Sequence, residues 1–103
     1  MKIKFNIVYL QLAFYDLLEI FDYIRLELKS PKAAQDLMIK LDEAISNLQY
    51  FPNSGKKYLI NDKFESEYRY LIVDHYLIFY TVNINNVEIR RVIYSKRLYN
   101  IFL

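Results

Sequence analysis

The sequence predicts an α+β fold of order β-α-α-β-β-β, with a helical hairpin packed on one face of a twisted antiparallel sheet. Three observations carry that reading. A short segment rich in Ile, Val, Phe and Tyr opens the chain and three more follow residue 65. Between them lie two long stripes of apolar residues at helical spacing, the signature of amphipathic helices that need a common partner surface. The chain's only glycine and its two prolines, Pro31, Pro52 and Gly55, fall at the junctions of these segments, where such residues punctuate structure.

Residues 2–9 alternate poorly but have strand composition. From about residue 10 the period changes: Ala13, Leu17, Ile20, Phe21, Ile24 and Leu28 recur at steps of three and four. Asp16, Glu19, Asp22 and Arg25 are assigned to the other side of this first helix, about 10–28. Ser30 then offers an N-cap hydroxyl and Pro31 a first helical residue. Ala34, Leu37, Met38, Leu41, Ile45 and Leu48 form the second stripe, which runs to about Tyr50. Pro52-Asn53-Ser54-Gly55 reads as a turn, with Gly55 where a positive φ is expected. Strands follow at about 66–73, 76–83 and 87–94, joined by Asp74-His75 and Ile84-Asn85-Asn86. The last eight residues read as a short helix or tail. One conflict stands out in the final strand, where Arg91 falls on the apolar parity set by Val87 and Ile89. Either a bulge near Arg90-Arg91 or burial of both strand faces resolves it.

At 103 residues, 54% of them hydrophobic and with 11 Tyr and 7 Phe, the chain suits a single domain spanning 1–103 with one core. The absence of cysteine excludes disulfides, a thiolate nucleophile and a Cys-based zinc site, and a lone His75 excludes a His-rich metal site. No metal and no cofactor is expected. The amino terminus lacks the apolar run of a secretory signal, and no window offers about 18 uncharged apolar residues, so no membrane association is expected and the cytoplasm is the expected location. The net charge of +2 is unevenly placed, and residues 90–103 hold Arg90, Arg91, Lys96 and Arg97 without an acid. That concentration suits phosphates or an acidic partner segment.

The stretch Asp16-Leu17-Leu18-Glu19-Ile20-Phe21-Asp22-Tyr23-Ile24, followed by Ser30-Pro31-Lys32-Ala33-Ala34, resembles the helical hairpin of the RelE/ParE toxin superfamily. Residues 48–55, Tyr68-Arg69-Tyr70-Leu71-Ile72-Val73, Tyr76-Leu77-Ile78-Phe79-Tyr80 and residues 87–97 follow the order of that family across nearly the whole chain. The resemblance implies the toxin of a bacterial type II toxin–antitoxin system, a growth-arresting and plasmid-stabilising protein neutralised by a cognate antitoxin. Its chemistry is not fixed by the fold. Some members cleave mRNA in the ribosome without a metal; ParE-like members poison DNA gyrase by binding.

Metal-free RNA cleavage needs a base for the 2′-OH, cations for the developing phosphorane charge and an acid for the leaving oxygen. On the resemblance, the matching catalytic positions are Arg69, Arg97 and Tyr99, with Lys96 able to substitute or assist. Ribosome-dependent mRNA cleavage is therefore the first expectation, with the ribosome and mRNA as partners. Against it, Tyr94 stands where some nuclease members carry His, and an unperturbed tyrosine titrates near 10. His75, beside Asp74, and the acids Glu65 and Glu67 read as turn and loop residues. The alternative is gyrase inhibition, with the helical hairpin and the C-terminal segment as contact surfaces. A degenerate toxin retained as an antitoxin-binding module is a third possibility.

Overall fold

The computed structural model describes residues 4–58 and 68–96. Its elements are β1 (Asn6–Tyr9), α1 (Gln11–Asp22), a π-helical segment (Tyr23–Glu27), α2 (Pro31–Asn47), β2 (Lys56–Tyr58), β3 (Tyr68–Val73), β4 (Tyr76–Val82) and β5 (Asn86–Tyr94). The five strands form one sheet in the order β1-β5-β4-β3-β2. The expected α+β class and the helical hairpin are present, but the sheet is mixed: β1 runs parallel to β5, while the other neighbours are antiparallel. Both helices and three strands separate β1 from β5 in the chain, so no tight turn obliges the two neighbours to run oppositely. The sequence also conceals β2, because Lys-Lys-Tyr is too short and too polar to announce a strand.

The two helical stripes meet the sheet as their spacing demands. Ala13, Ile24, Leu37, Leu41 and Ile45 pack with Ile78, Tyr80, Val87, Ile89 and Val92 in one buried cluster. The first helix does not continue regularly to residue 28. After Asp22 it widens, and the Leu28 N–H donates to the Tyr23 carbonyl at 3.1 Å, five residues back. Lys29 then takes a left-handed φ of 53° to close the hairpin, a conformation that costs a non-glycine residue energy and so needs support from its surroundings. Leu28, assigned to the core by its spacing, is more than half exposed as a result. Ser30 caps α2 as expected, accepting from the Ala33 N–H at 3.4 Å, with Pro31 at the first helical position.

The conflict in the last strand resolves as a bulge. Tyr80 pairs with Ile89 and Phe79 with Arg91, which leaves Arg90 as the extra residue. Beyond it, Val92 returns to the helix-facing side, so the apolar alternation is kept. Gly55 departs from expectation: it has no positive φ. It is required by close approach instead, because a Cβ there would lie 2.5 Å from the Tyr80 hydroxyl and 2.8 Å from the Tyr70 carbonyl oxygen. The left-handed residue of the β3–β4 turn is Asp74, at φ 53°, as the tolerance of Asp for such turns allows.

Candidate functional site

Bulging β5 sends its two arginines to different places. Arg91 reaches α1, where Nε donates to Asp16 Oδ2 at 2.8 Å and Nη2 to Oδ1 at 3.0 Å. The Val92 N–H adds a third bond to Oδ2 at 3.0 Å. Both side chains are largely buried, at 24% and 15% exposure, so the carboxylate is fully used in holding α1 to the bulge. The bond to Asp16 is also the main reason the Arg91 guanidinium holds its proton more tightly than usual. Asp16 therefore does not belong to the outward polar side to which its spacing assigned it.

Arg69 likewise binds the scaffold. Its Nη1 donates to the carbonyl oxygens of Gly55 at 2.9 Å and Asn53 at 3.2 Å, tying β3 to the turn that precedes β2. In the same corner the Gly55 N–H donates to the buried Tyr80 hydroxyl at 2.8 Å. Burial pushes the Tyr80 phenol up, and the Gly55 bond and the Arg69 charge oppose that shift only in part. These scaffold bonds surround a phenol that stays protonated at neutral pH.

Lys96 lies at the other end. Val73, Tyr76 and Tyr94 are paired in register there, and Lys96 stands exposed just past the last residue of β5. Four ladder positions separate the level of Arg69 from that of Tyr94, about 13 Å along the strands. The structure thus does not bring Arg69 and Lys96 together. Arg97 and Tyr99 lie outside the described residues, as do Glu65, Glu67 and residues 98–103. His75 is an exposed turn residue whose ring meets Tyr94 edge-on at 6.5 Å, and its carbonyl accepts the Ser95 N–H at 2.8 Å. Burial, followed by the neighbouring Tyr94 and Tyr23, pushes the Tyr76 phenol up, which makes it a poorer base at neutral pH.

The sheet face away from the helices is aromatic. Arg90, the bulge residue, lies across β4 with its guanidinium 5.3 Å from the centre of the Tyr68 ring. Tyr58, Tyr70 and Phe79 form a cluster of mutually tilted rings beside it. A shallow groove of about 200 Å³ is lined by Tyr58, Tyr70, Ile72, Leu77 and Phe79. Among the described residues no group of three or more His, Asp or Glu side chains is placed to hold a metal ion. No described helix is long and apolar enough to cross a membrane.

A sequence model of the ParE toxin of type II toxin–antitoxin systems (parDE) matches residues 7–99. The chain belongs to this ParE toxin family. The match runs from within β1 past the end of β5. No curated protein matches the chain. Among solved structures, the ParE family chain is similar in fold to one from a chromosomal ParDE toxin–antitoxin system of P. aeruginosa. The TM-score is 0.66 at 21% identity, covering 86% of this chain and 94% of that one. It is also similar to a chain of the RelB-RelE antitoxin–toxin complex of Methanococcus jannaschii, with a TM-score of 0.53 at 20% identity over 93% and 99% of the two chains. At these identities the likeness speaks for the fold: two helices on a five-stranded mixed sheet.

Proposed function

We propose that this ParE family toxin is held inactive in the cytoplasm by a cognate antitoxin and acts by binding, as a poison of DNA gyrase. The position of Arg69 carries this reading. A metal-free nuclease needs its cations converging on one phosphate, whereas Arg69 donates to the Gly55 and Asn53 carbonyls about four ladder positions from the end where Lys96 emerges. The antitoxin partner is supported by the two similar folds, which come from toxin–antitoxin assemblies.

Metal-independent mRNA cleavage is the second reading, with Arg69, Lys96, Arg97 and Tyr99 as its catalytic group and the ribosome and mRNA as its partners. One observation favours it: Lys96 is exposed at the exit of β5, and Arg97 follows it in the sequence. Inducing the chain without an antitoxin, while mapping transcript 5′ ends and following a DNA-damage reporter, separates the two. The gyrase reading expects intact transcripts and a strong damage response. New in-frame cuts in translated messages, lost in Arg69→Ala and Arg97→Ala, would establish the nuclease.

A further inference from the structure

We infer that residues 97–103 fold back over the sheet face away from the helices and cover its β4–β5 half. That face has buried side chains of its own. Leu77, Phe79 and Ile93 point away from the helices, since their neighbours Ile78, Tyr80 and Val92 face the core. Yet they are only 7%, 0% and 9% exposed. Among the described residues no helix or strand lies over them. For Phe79 the rings of Tyr58 and Tyr70 supply cover, with centroids at 5.1 and 6.0 Å. Leu77 and Ile93 belong instead to a row that starts at Ile72 and crosses β3, β4 and β5. Exposure along that row falls from 61% at Ile72 to 7% at Leu77 and 9% at Ile93. Side chains on one face of a sheet stand side by side with their tips towards solvent. A row open at one position and closed over the other two therefore has a cover that stops short of β3.

The path of the chain selects the occupant. The Ser95 N–H donates to the His75 carbonyl at 2.8 Å, which carries the β4–β5 pairing one residue past Tyr94, and the chain runs on from Lys96 at that end. The Leu77–Ile93 pair is the next one inside. Arg97-Leu98-Tyr99-Asn100-Ile101-Phe102-Leu103 follows, and five of its seven residues are apolar or aromatic. Crossing from β5 to β4 takes about 5 Å, within the roughly 10 Å that seven residues span even as a helix. The other segments outside the described residues fit less well. Residues 59–67 join Tyr58 to Tyr68, four residues along β3 from Ile72, and carry Asp62, Lys63, Glu65 and Glu67. Residues 1–3 precede β1, which starts at the level of Asn86, the far end of β5. Place and polarity together favour residues 97–103, whose apolar side chains leave water as they cover those of β4 and β5.

The chain has no cysteine, so one introduced thiol reports one place. The full chain carrying Leu77→Cys, Ile72→Cys or Ile78→Cys is treated with a thiol-reactive dye, with and without the pair Ile101→Asp and Phe102→Asp. Ile78 is buried against the helices and reports global opening. The expected result is slow labelling at residue 77 and fast labelling at residue 72. The Asp pair then speeds labelling at residue 77 by at least about tenfold and leaves residues 72 and 78 unchanged, as a local opening does. In the unsubstituted chain, NMR is expected to show contacts between the Ile93 methyl groups and side chains of residues 98–103. Labelling at residue 77 that ignores the Asp pair overturns the proposal, and so do Ile93 contacts made only to α1 or to residues 59–67. If the Asp pair opens residue 78 as well, the NMR contacts decide alone: their presence upholds the proposal and their absence overturns it.

Discussion

At the corner where β2 begins, Arg69 is held 2.9 Å from the Gly55 carbonyl and the Tyr80 hydroxyl accepts the Gly55 N–H at 2.8 Å; at the opposite end of the sheet Lys96 stands exposed beyond β5. Arg91, three residues before Tyr94, belongs with the first region, since Asp16 takes two of its N–H groups. The difference teaches that a cation's chemistry cannot be read from its type. An arginine's planar, forked guanidinium suits bonds to fixed carbonyls and carboxylates, and Arg69 and Arg91 are both bound in that way. A surface lysine carries its charge into solvent and leaves the fold indifferent to it.

The comparison breaks most visibly at Asp16. Asp16→Ala leaves the Arg91 guanidinium and the Val92 N–H without their acceptor in a largely buried place, at a cost of about 3 kcal/mol. The expected fall in Tm is roughly 10–20 °C for a domain of this size. A smaller loss, about 2 kcal/mol, is expected for Gly55→Ala, whose Cβ meets the Tyr80 hydroxyl at 2.5 Å; chemical denaturation measures it. Arg69→Ala should cost about 1 kcal/mol, through loss of its bonds to the Gly55 and Asn53 carbonyls. Lys96→Ala should change stability by less than about 0.5 kcal/mol, as surface substitutions do. A loss at Lys96 comparable to that at Arg69 would erase the contrast between the two ends.

Alkaline titration sharpens the same picture. The Tyr76 and Tyr80 phenols are both raised by burial. The unfolded chain therefore loses these protons first as pH rises above about 10, and the folded state is then the more protonated one. Linkage makes stability full below that pH and declining above it, until the folded phenols themselves ionise. Thermal melts from pH 8 to 11 should show that decline, and Tyr76→Phe should reduce it.

Much of the fold was legible because its signals are periodic: the two helical stripes apart from Leu28, the Ser30-Pro31 start and the three long strands stand where the residues put them. The Arg91 conflict also announced the bulge, although only the register distinguished it from a doubly buried strand. What escaped was set by contacts between distant segments. The parallel pairing of β1, the three-residue β2 and the π-helical slip after Asp22 leave no local pattern. The site was less legible for the same reason. Arg69 stands at the position that the resemblance makes catalytic, and its bonds to backbone carbonyls 14 and 16 residues earlier are encoded by no side-chain pattern. Gly55 was marked for its backbone freedom, whereas the space it leaves for Tyr80 is what the fold uses.

The proposed action, binding gyrase while Arg69 serves the fold, is tested most directly with purified components. Wild-type chain and Arg69→Gln are each incubated with DNA gyrase and supercoiled plasmid, and cleaved DNA trapped on the enzyme is quantified alongside the Tm of each variant. The account predicts trapped cleavage with wild type, and with Arg69→Gln a loss of activity no larger than its loss of folded protein. Absence of any effect on gyrase, together with ribosome-dependent mRNA cutting that Arg69→Gln abolishes at unchanged Tm, would contradict it.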